Sequence, residues 1–255
     1  MKQKFARLWD TKTKDDEWWS SFVTSPLAIG ANYFAVDVKW LTPDRITLLS
    51  FIVAIVSTVF VVQGGTVNFV IAAVLIHASH VLDCMDGQMA RYRQTPSALG
   101  SYIDRVTDQI QVTLWFGAVG YAAYLQSHDV IPVILAFIGV AFYGLRGYSK
   151  YVAIHTEMSL DNTYLEKIAS AKTTPIGAGP GFGFAANIHW FLTEQKKILA
   201  FDEGVFIFMI SLALVLNELT LMLWVFATSQ VFYGIYRAIQ HGFQIDNNGQ
   251  SLIQK

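Results

Sequence analysis

Four carboxylates stand at regular intervals between two long apolar runs of the sequence: Asp83, Asp86, Asp104 and Asp108. The first two are three residues apart and the last two are four apart, so each pair shares one face of a helix. Pro96 stands between the two pairs and is expected to end the first helix, because proline interrupts helices. Ser97 is a suitable N-cap for the next helix. The spacing therefore predicts a helical hairpin whose two acidic faces turn toward each other.

The apolar surroundings indicate that these carboxylates have a function. They follow the run from Phe69 to Ile76 and precede the run from Ile110 to Ala123. A charge at the centre of a membrane helix costs roughly 2.5–3.5 kcal/mol on insertion scales, and facing carboxylates repel unless a cation lies between them. Hard divalent cations prefer carboxylate oxygens, and two such ions can clamp a diphosphate for in-line displacement. A solvated acidic face on a surface helix is the alternative, which the apolar flanks disfavour.

Composition favours a membrane protein. Hydrophobic residues make up 53% of the 255 positions, and the mean hydropathy is +0.40. These values suit a polytopic membrane protein better than a soluble domain. The net charge of −1 indicates no particular partner, and no nucleic-acid partner is expected. The single cysteine, Cys84, excludes an intrachain disulfide.

Small residues and an arginine complete a longer pattern around the carboxylates, which reads Asp83-x2-Asp86-Gly87-x2-Ala90-Arg91-x8-Gly100-x3-Asp104-x3-Asp108. In all eight fixed positions and all gaps this pattern is similar to the signature of the CDP-alcohol phosphotransferase family. The resemblance implies a membrane enzyme of phospholipid biosynthesis that transfers a phosphatidyl group to an acceptor alcohol and releases CMP. CDP-diacylglycerol is the simplest donor. Transfer from CDP-choline or CDP-ethanolamine to diacylglycerol is the alternative.

The resemblance also assigns roles to the matching positions. It implies two divalent cations, Mg²⁺ or Mn²⁺, held by Asp83, Asp86, Asp104 and Asp108. It makes Asp108 the general base for the acceptor hydroxyl, and it implies a homodimer. It implies that the pocket for the cytidine and the diphosphate is shaped by Gly87, Ala90, Arg91 and Gly100. The residue types agree, because glycine permits close approach and the fork of arginine suits a phosphate.

The motif leaves the acceptor open. Arg93, Arg146 and Lys150 would form a cationic pocket for an acceptor phosphate, as in inositol phosphate or glycerol phosphate transfer. Arg146 and Lys150 would equally serve to anchor a helix end at the lipid headgroups. Serine, choline, a sugar alcohol or another polar alcohol also fits. His77 and His80, one turn before Asp83, are interpreted as packing residues or supports of the metal site rather than as ligands.

Hydropathy predicts an all-α integral membrane protein with six transmembrane helices and an N-terminal interfacial amphipathic helix. The predicted spans are approximately residues 46–62, 67–91, 98–125, 130–151, 205–216 and 219–239. Residues 1–40 form the cytoplasmic N-terminus and the interfacial helix in this interpretation, with 1–15 irregular. Residues 41–241 form the catalytic domain, in which 152–200 are a long connection with a glycine-rich hinge at 177–183. Residues 242–255 form a frayed polar tail.

Charge predicts the orientation. The connections near residues 64–65, 127–129 and 217–218 contain no Lys or Arg, whereas the N-terminal region, the turn after Arg91, the 152–200 connection and the tail carry basic residues. The positive-inside rule then places both termini and the acidic motif in the cytoplasm, with the chain in the cytoplasmic (inner) membrane. The N-terminus lacks the apolar core of a signal peptide before Trp18, which agrees with a cytoplasmic start.

Two other classes of membrane protein also use acidic residues inside the membrane. Intramembrane prenyltransferases bind a diphosphate through Mg²⁺, but their Asp-rich motifs lie on separated helices. A cation-coupled transporter would use the carboxylates as an ion path. Transporters often contain an internal repeat, and this sequence has no second copy of the motif.

Overall fold

In the computed structural model, which describes residues 2–12, 17–171 and 183–253, all regular structure is helical. The helices are α1 (Lys2–Trp9), a π-helix (Ser20–Thr24), α2 (Ser25–Ala35), α3 (Pro43–Gln63), α4 (Thr66–Arg93), α5 (Ala98–Ser127), α6 (Ile131–Leu160), α7 (Tyr164–Ala171), α8 (Phe184–Glu194), a 3₁₀ helix (Gln195–Ala200), α9 (Glu203–Leu216) and α10 (Leu219–Ile253).

Four helices are long and apolar enough to cross a membrane: α3, α4, α6 and the Leu219–Asp246 part of α10. The chain is therefore a multi-pass membrane protein. The other two predicted spans are less clear-cut. Helix α9 is apolar but has only 14 residues, about 21 Å at 1.5 Å per residue, against a hydrocarbon core of about 30 Å. Helix α5 has 30 residues but carries the charges of Asp104, Arg105 and Asp108.

Three sequence predictions about irregular segments are wrong. Residues 2–9 are helical, since α1 packs against α2 and α4 and buries Leu8 completely. Helix α6 continues to Leu160 because no proline or glycine interrupts residues 152–160, and Ala153 and Glu157 find buried positions there. The 152–200 connection also contains α7 and α8, and α10 continues through the predicted tail. Residues 177–182 of the predicted hinge lie outside the described residues.

The acidic hairpin is organised around α3. Helices α4 and α5 both pack against α3, while α9 packs against α4 and α6 packs against α5 and α10. As the sequence predicts, the Ser97 side chain caps α5 by accepting a hydrogen bond from the Gly100 amide at 3.0 Å. At the turn before it, Gln94 ends α4 in the left-handed conformation, with φ of 56°. These features hold the two acidic helices side by side on a common support.

An aromatic stack joins α5 to α10, and α6 packs closely against it. The rings of Phe116 and Phe226 are parallel within 5° with centroids 3.6 Å apart, and both are fully buried. Gly139 of α6 permits this packing, because a Cβ there would lie 2.6 Å from Phe226 Cε1.

Replacing Gly139 with Ala is therefore expected to destabilise the protein by about 1–3 kcal/mol, the usual range for overpacking a core. Thermal unfolding in detergent would measure this as a lower Tm. Gly147→Ala is the matched control on the same helix, since the added Cβ meets no described atom of another element within 4 Å. The control is expected to be neutral or to gain up to about 1 kcal/mol of helix propensity. Equal Tm values for the two variants would contradict the packing argument.

Candidate active site

Three of the four motif carboxylates meet at one point between α4 and α5. One carboxylate oxygen from each of Asp83, Asp104 and Asp108 lies within 4.8 Å of the other two. Asp83 Oδ1 and Asp108 Oδ1 are buried, and neither accepts a hydrogen bond from the described residues. Anionic oxygens held this close without donors repel one another, and oxygen ligands of this kind are those that hard divalent cations prefer. The arrangement fits a divalent cation.

The fourth carboxylate, Asp86, lies beside this group rather than within it. Its side chain is buried, with 7% relative exposure, and it accepts a hydrogen bond from the Thr47 hydroxyl of α3. Thr47 thus fixes the orientation of Asp86. Sequence reasoning did not single out Thr47, because a threonine in an apolar helix carries no distinguishing pattern.

A large cavity of about 610 Å³ opens next to the carboxylates between α3, α4 and α5. Its lining includes Asp86 and Asp104 together with all four positions predicted for the nucleotide and diphosphate: Gly87, Ala90, Arg91 and Gly100. Asp44, in the first turn of α3, also lines it. The structure therefore brings the small residues, the arginine and two carboxylates to one cavity.

Two contacts explain why glycine and arginine occupy their motif positions. A Cβ on Gly87 would lie 3.3 Å from Arg91 Nη1, so the guanidinium lies across the bare backbone of α4. Arg91 Nε donates to the Thr11 carbonyl at 2.7 Å. The N-terminal segment therefore contributes to the orientation of the motif arginine.

A smaller, polar cavity of about 190 Å³ shares one wall with the large cavity, formed by Asp86, Gly87, Arg91 and Asp104. It extends past Asp83 to Glu17, Ser20, His80 and Glu203. One ligand atom from each of His80, Asp83 and Glu203 lies within 4.8 Å of the others. Asp83 thus belongs to both polar groups, and Glu17 and Glu203 add two carboxylates that the motif does not contain.

Hydrogen bonds connect the far wall of the polar cavity. The Ser20 hydroxyl donates to the Glu17 carboxylate and lies 2.9 Å from His80 Nε2. His80 Nδ1 is 3.4 Å from Glu203. Burial raises the pKa of the Glu17 carboxyl, although the Ser20 hydrogen bond lowers it in part. A cation bound beside Glu17 would favour its charged form.

The two histidines before the motif differ in their surroundings. His77 packs edge-to-face on Trp19, and its Nδ1 lies 3.0 Å from the Ala73 carbonyl. This agrees with the predicted packing role. His80, in contrast, lines the polar cavity next to Asp83.

The predicted cationic acceptor pocket is not assembled at the carboxylates. Neither cavity has Arg93, Arg146 or Lys150 among its described lining residues. Arg93 donates to the carbonyls of Val36 and Leu41, at 2.8 Å and 2.6 Å for the shortest bonds. These contacts join α4 to the α2–α3 connection. They favour a structural role for Arg93.

Arg146 and Lys150 lie on α6. Arg146 donates to the Ala200 carbonyl and lies 3.7 Å from Asp202, the residue before Glu203. Its guanidinium also stacks over Tyr143, 4.9 Å from the ring centroid. Lys150 is exposed. Arg146 therefore contacts the residues that directly precede α9, but its charge is paired with Asp202.

Replacing Arg93 with Ala is expected to lower the free energy of unfolding by about 1.5–3 kcal/mol, the range for hydrogen bonds to a charged group. Thermal unfolding would record the loss, while the KM for the acceptor stays unchanged in the folded fraction. Arg237→Ala is the control, because Arg237 is exposed and its described bond is to Gln240. A raised acceptor KM without loss of stability would restore the acceptor role for Arg93.

Comparison with known proteins agrees with the motif. A family profile described as CDP-alcohol phosphatidyltransferase matches residues 40–232. This match covers more than half of the chain and includes α3 to α6, α9 and the first part of α10. It therefore spans the elements that line the large cavity.

The proteins similar to this chain include a curated relative and a solved structure. A bifunctional IPC transferase and DIPP synthase from Thermococcus kodakarensis is 28% identical over 102 residues, which are 40% of this chain and 23% of the relative. The crystal structure of a Mycobacterium tuberculosis phosphatidylinositol phosphate synthase with CDP-DAG bound aligns with a TM-score of 0.58 and 17% identity. That alignment covers 86% of this chain and 93% of the other, and it shows a shared fold.

Proposed function

This chain belongs to the CDP-alcohol phosphatidyltransferase family, and we propose that it transfers a phosphatidyl group from a CDP-linked lipid to the hydroxyl of a polar alcohol. The observation that carries the proposal is the meeting of Asp83, Asp104 and Asp108 beside a cavity lined by the rest of the eight-position motif. CDP-diacylglycerol is the proposed donor. The structure of similar fold, determined with CDP-DAG bound, supports that choice.

The carboxylates are the proposed holders of two divalent cations, Mg²⁺ or Mn²⁺. Asp83, Asp104 and Asp108 supply oxygens close enough to share an ion, and Asp86 is oriented beside them by Thr47. Bound cations of this kind neutralise the charge of a diphosphate and of its leaving group. The buried, unpaired oxygens of Asp83 and Asp108 support this assignment.

The large cavity is the proposed donor site. Its volume of about 610 Å³ lies within the usual range for a ligand pocket of about 300–1,000 Å³. Arg91 is the proposed partner of the diphosphate, since a guanidinium pairs well with phosphate oxygens. Gly87, Ala90 and Gly100 leave room for the nucleotide to approach the helix backbones.

The proposed reaction is a single displacement. Asp108 takes the proton from the acceptor hydroxyl, and the acceptor oxygen forms a bond to the phosphorus that carries the lipid. The bond between that phosphorus and the bridging oxygen of CMP breaks, and CMP leaves with the electron pair. The products are CMP and a lipid joined to the alcohol through a phosphodiester.

The proposed topology has six spans, an interfacial N-terminal segment and cytoplasmic termini. Beyond the four long apolar helices, α5 and α9 would complete the bundle, since α5 packs against α3 and α6 and α9 packs against α4. The positive-inside pattern supports a cytoplasmic active site in the inner membrane. A homodimer, as implied by the resemblance to the family, remains part of the proposal.

CMP release by the purified protein tests this function. The assay supplies CDP-diacylglycerol with Mg²⁺ or Mn²⁺ and compares a panel of alcohols. Acceptor-dependent and metal-dependent release is expected. Release only from CDP-choline or CDP-ethanolamine with diacylglycerol would establish the alternative donor. Cation flux through the protein in vesicles, without any CMP release, would instead favour a transporter.

A further inference from the structure

We propose that the acceptor is a small amino alcohol, whose ammonium group is bound by Glu17 and Glu203 in the polar cavity. This inference rests on the proposed function and specifies its second substrate. It departs from the cationic acceptor pocket predicted from Arg93, Arg146 and Lys150.

The position of the polar cavity makes it the acceptor side of the site. In-line displacement needs the attacking oxygen and the leaving group on opposite sides of the phosphorus. If the nucleotide fills the large cavity, the polar cavity is the adjoining space that also contacts the carboxylates. It begins at the shared wall and reaches past Asp83. An alcohol in this cavity has its hydroxyl next to the proposed metal site.

The charges in the polar cavity favour a cation. Asp83, Asp86 and Asp104 are assigned to metal, whereas Glu17 and Glu203 line the same cavity without belonging to the motif, and Glu203 lies next to Asp83. Their carboxylates would repel an acceptor phosphate and attract an ammonium group. The arginine in the lining, Arg91, lies on the wall shared with the donor cavity. Arg146, beside the start of α9, is paired with Asp202.

A buried oxygen of Asp83, which lies between the motif and the far wall, also indicates a ligand. Asp83 Oδ1 is buried and accepts no hydrogen bond from the described residues, and Asp83 joins both polar groups. The Glu17 carboxylate is held by Ser20 against Gly204, where a Cβ would lie 2.6 Å from Ser20 Oγ. The hydrogen bond from Ser20 and the close packing on Gly204 therefore hold the far wall in place.

The volume sets the size of the acceptor. The polar cavity has a volume of about 190 Å³. Pockets for drug-sized ligands are larger, at about 300–1,000 Å³. Ethanolamine and choline are small enough for this volume, with the hydroxyl toward the carboxylates of the shared wall and the cationic group toward Glu203. A ring polyol with a phosphate brings both more bulk and a charge of the wrong sign.

The first test compares acceptors of different charge with one donor, CDP-diacylglycerol, and Mn²⁺. Ethanolamine and choline are cationic, glycerol and inositol are neutral, and glycerol 3-phosphate and inositol phosphate are anionic. The kcat/KM for ethanolamine or choline is expected to exceed that for every neutral and anionic acceptor by about tenfold or more. Preference for a neutral or a phosphorylated acceptor would overturn the inference while leaving the proposed function intact. No CMP release with any acceptor would overturn both.

The second test changes the charge of the far wall. Glu203→Gln is expected to raise the KM for the amino alcohol about tenfold or more, as for loss of a hydrogen bond to a charged group, and to leave the KM for the donor unchanged. Glu218→Gln is the matched control, since Glu218 is exposed at the other end of α9. Isothermal titration of ethanolamine into the protein should show the same loss of affinity without turnover.

A charge reversal separates recognition from structure. Glu203→Lys is expected to shift the preference from the amino alcohol toward glycerol 3-phosphate, which a merely structural role would not produce. Unchanged relative preference in both variants, with Tm values equal to the parent protein, would overturn the assignment of Glu203. Equal rises in KM for all acceptors would do the same.

Discussion

Replacing Asp83 with Ala is expected to abolish metal-dependent binding of the CDP-lipid donor and, with it, transfer to every acceptor. Asp83 contributes an oxygen to the group with Asp104 and Asp108 and to the group with His80 and Glu203. Its loss therefore affects both sides of the proposed reaction centre. Metal ions supply several kcal/mol of charge stabilisation, so the rate is expected to fall by about 1,000-fold or more.

Isothermal titration of the donor, with and without Mn²⁺, measures the binding part of this prediction, and CMP release measures the transfer part. Asp129→Ala is the control. Asp129 is exposed at the α5–α6 turn, where its carboxylate accepts a hydrogen bond from the Ile131 amide at 3.0 Å. The control loses this one hydrogen bond, worth about 0.5–1.5 kcal/mol, but keeps donor binding. Metal-dependent donor binding by Asp83→Ala at the affinity of the parent protein would remove Asp83 from the metal site.

The sequence could predict how the acidic residues are placed on their helices, because that geometry is local. Asp83 and Asp86 share a helix face through their spacing alone, and Ser97 caps the next helix as its position suggests. Helix bounds near the motif depend on the same local signals. Local spacing and capping therefore suffice to describe the motif and one wall of the large cavity.

The polar cavity could not be predicted in this way, because it depends on contacts between distant segments. Glu17 and Glu203 are far from the motif in the sequence, and each is the last residue of a short acidic run, Asp15-Asp16-Glu17 or Asp202-Glu203, just before an apolar stretch. Only the packing of the N-terminal segment and α9 against α4 brings them to His80 and Asp83. A basic residue near the motif, such as Arg93, is the more obvious candidate, but its hydrogen bonds to backbone carbonyls occupy it elsewhere.

The helical segments beyond the predicted spans could not be predicted from the sequence, for a related reason. Hydropathy detects the part of α6 that is apolar all round, but not its amphipathic continuation to Leu160. Helix α1 is polar in composition, and its formation depends on burying Leu8 against α2 and α4. Burial of one face stabilises such helices more than propensity does. Their stability therefore follows from tertiary packing, which composition does not reveal.

Replacing Asp108 with Asn is expected to leave donor binding nearly intact and to lower the rate of transfer by about 10²- to 10⁴-fold, the usual contribution of a general base. The asparagine carbonyl still offers an oxygen to a hard cation, but the amide cannot accept the proton of the acceptor hydroxyl. The base role is the one that the resemblance to the family implies, and Asp108 Oδ1 is buried and accepts no hydrogen bond from the described part of the chain.

Donor titration and CMP release on the same preparation distinguish a proton acceptor from a metal ligand. Asp104→Ala, which removes an oxygen of the metal group altogether, should lose both donor binding and transfer, whereas Asp108→Asn should lose transfer alone. Asp129→Asn is the conservative control, since the asparagine carbonyl can accept the same hydrogen bond from the Ile131 amide. If Asp108→Asn and Asp104→Ala lose donor binding to the same degree, Asp108 acts through the metal, and the proton must go to another group near the acceptor. If Asp108→Asn turns over at the parent rate, Asp108 has neither role.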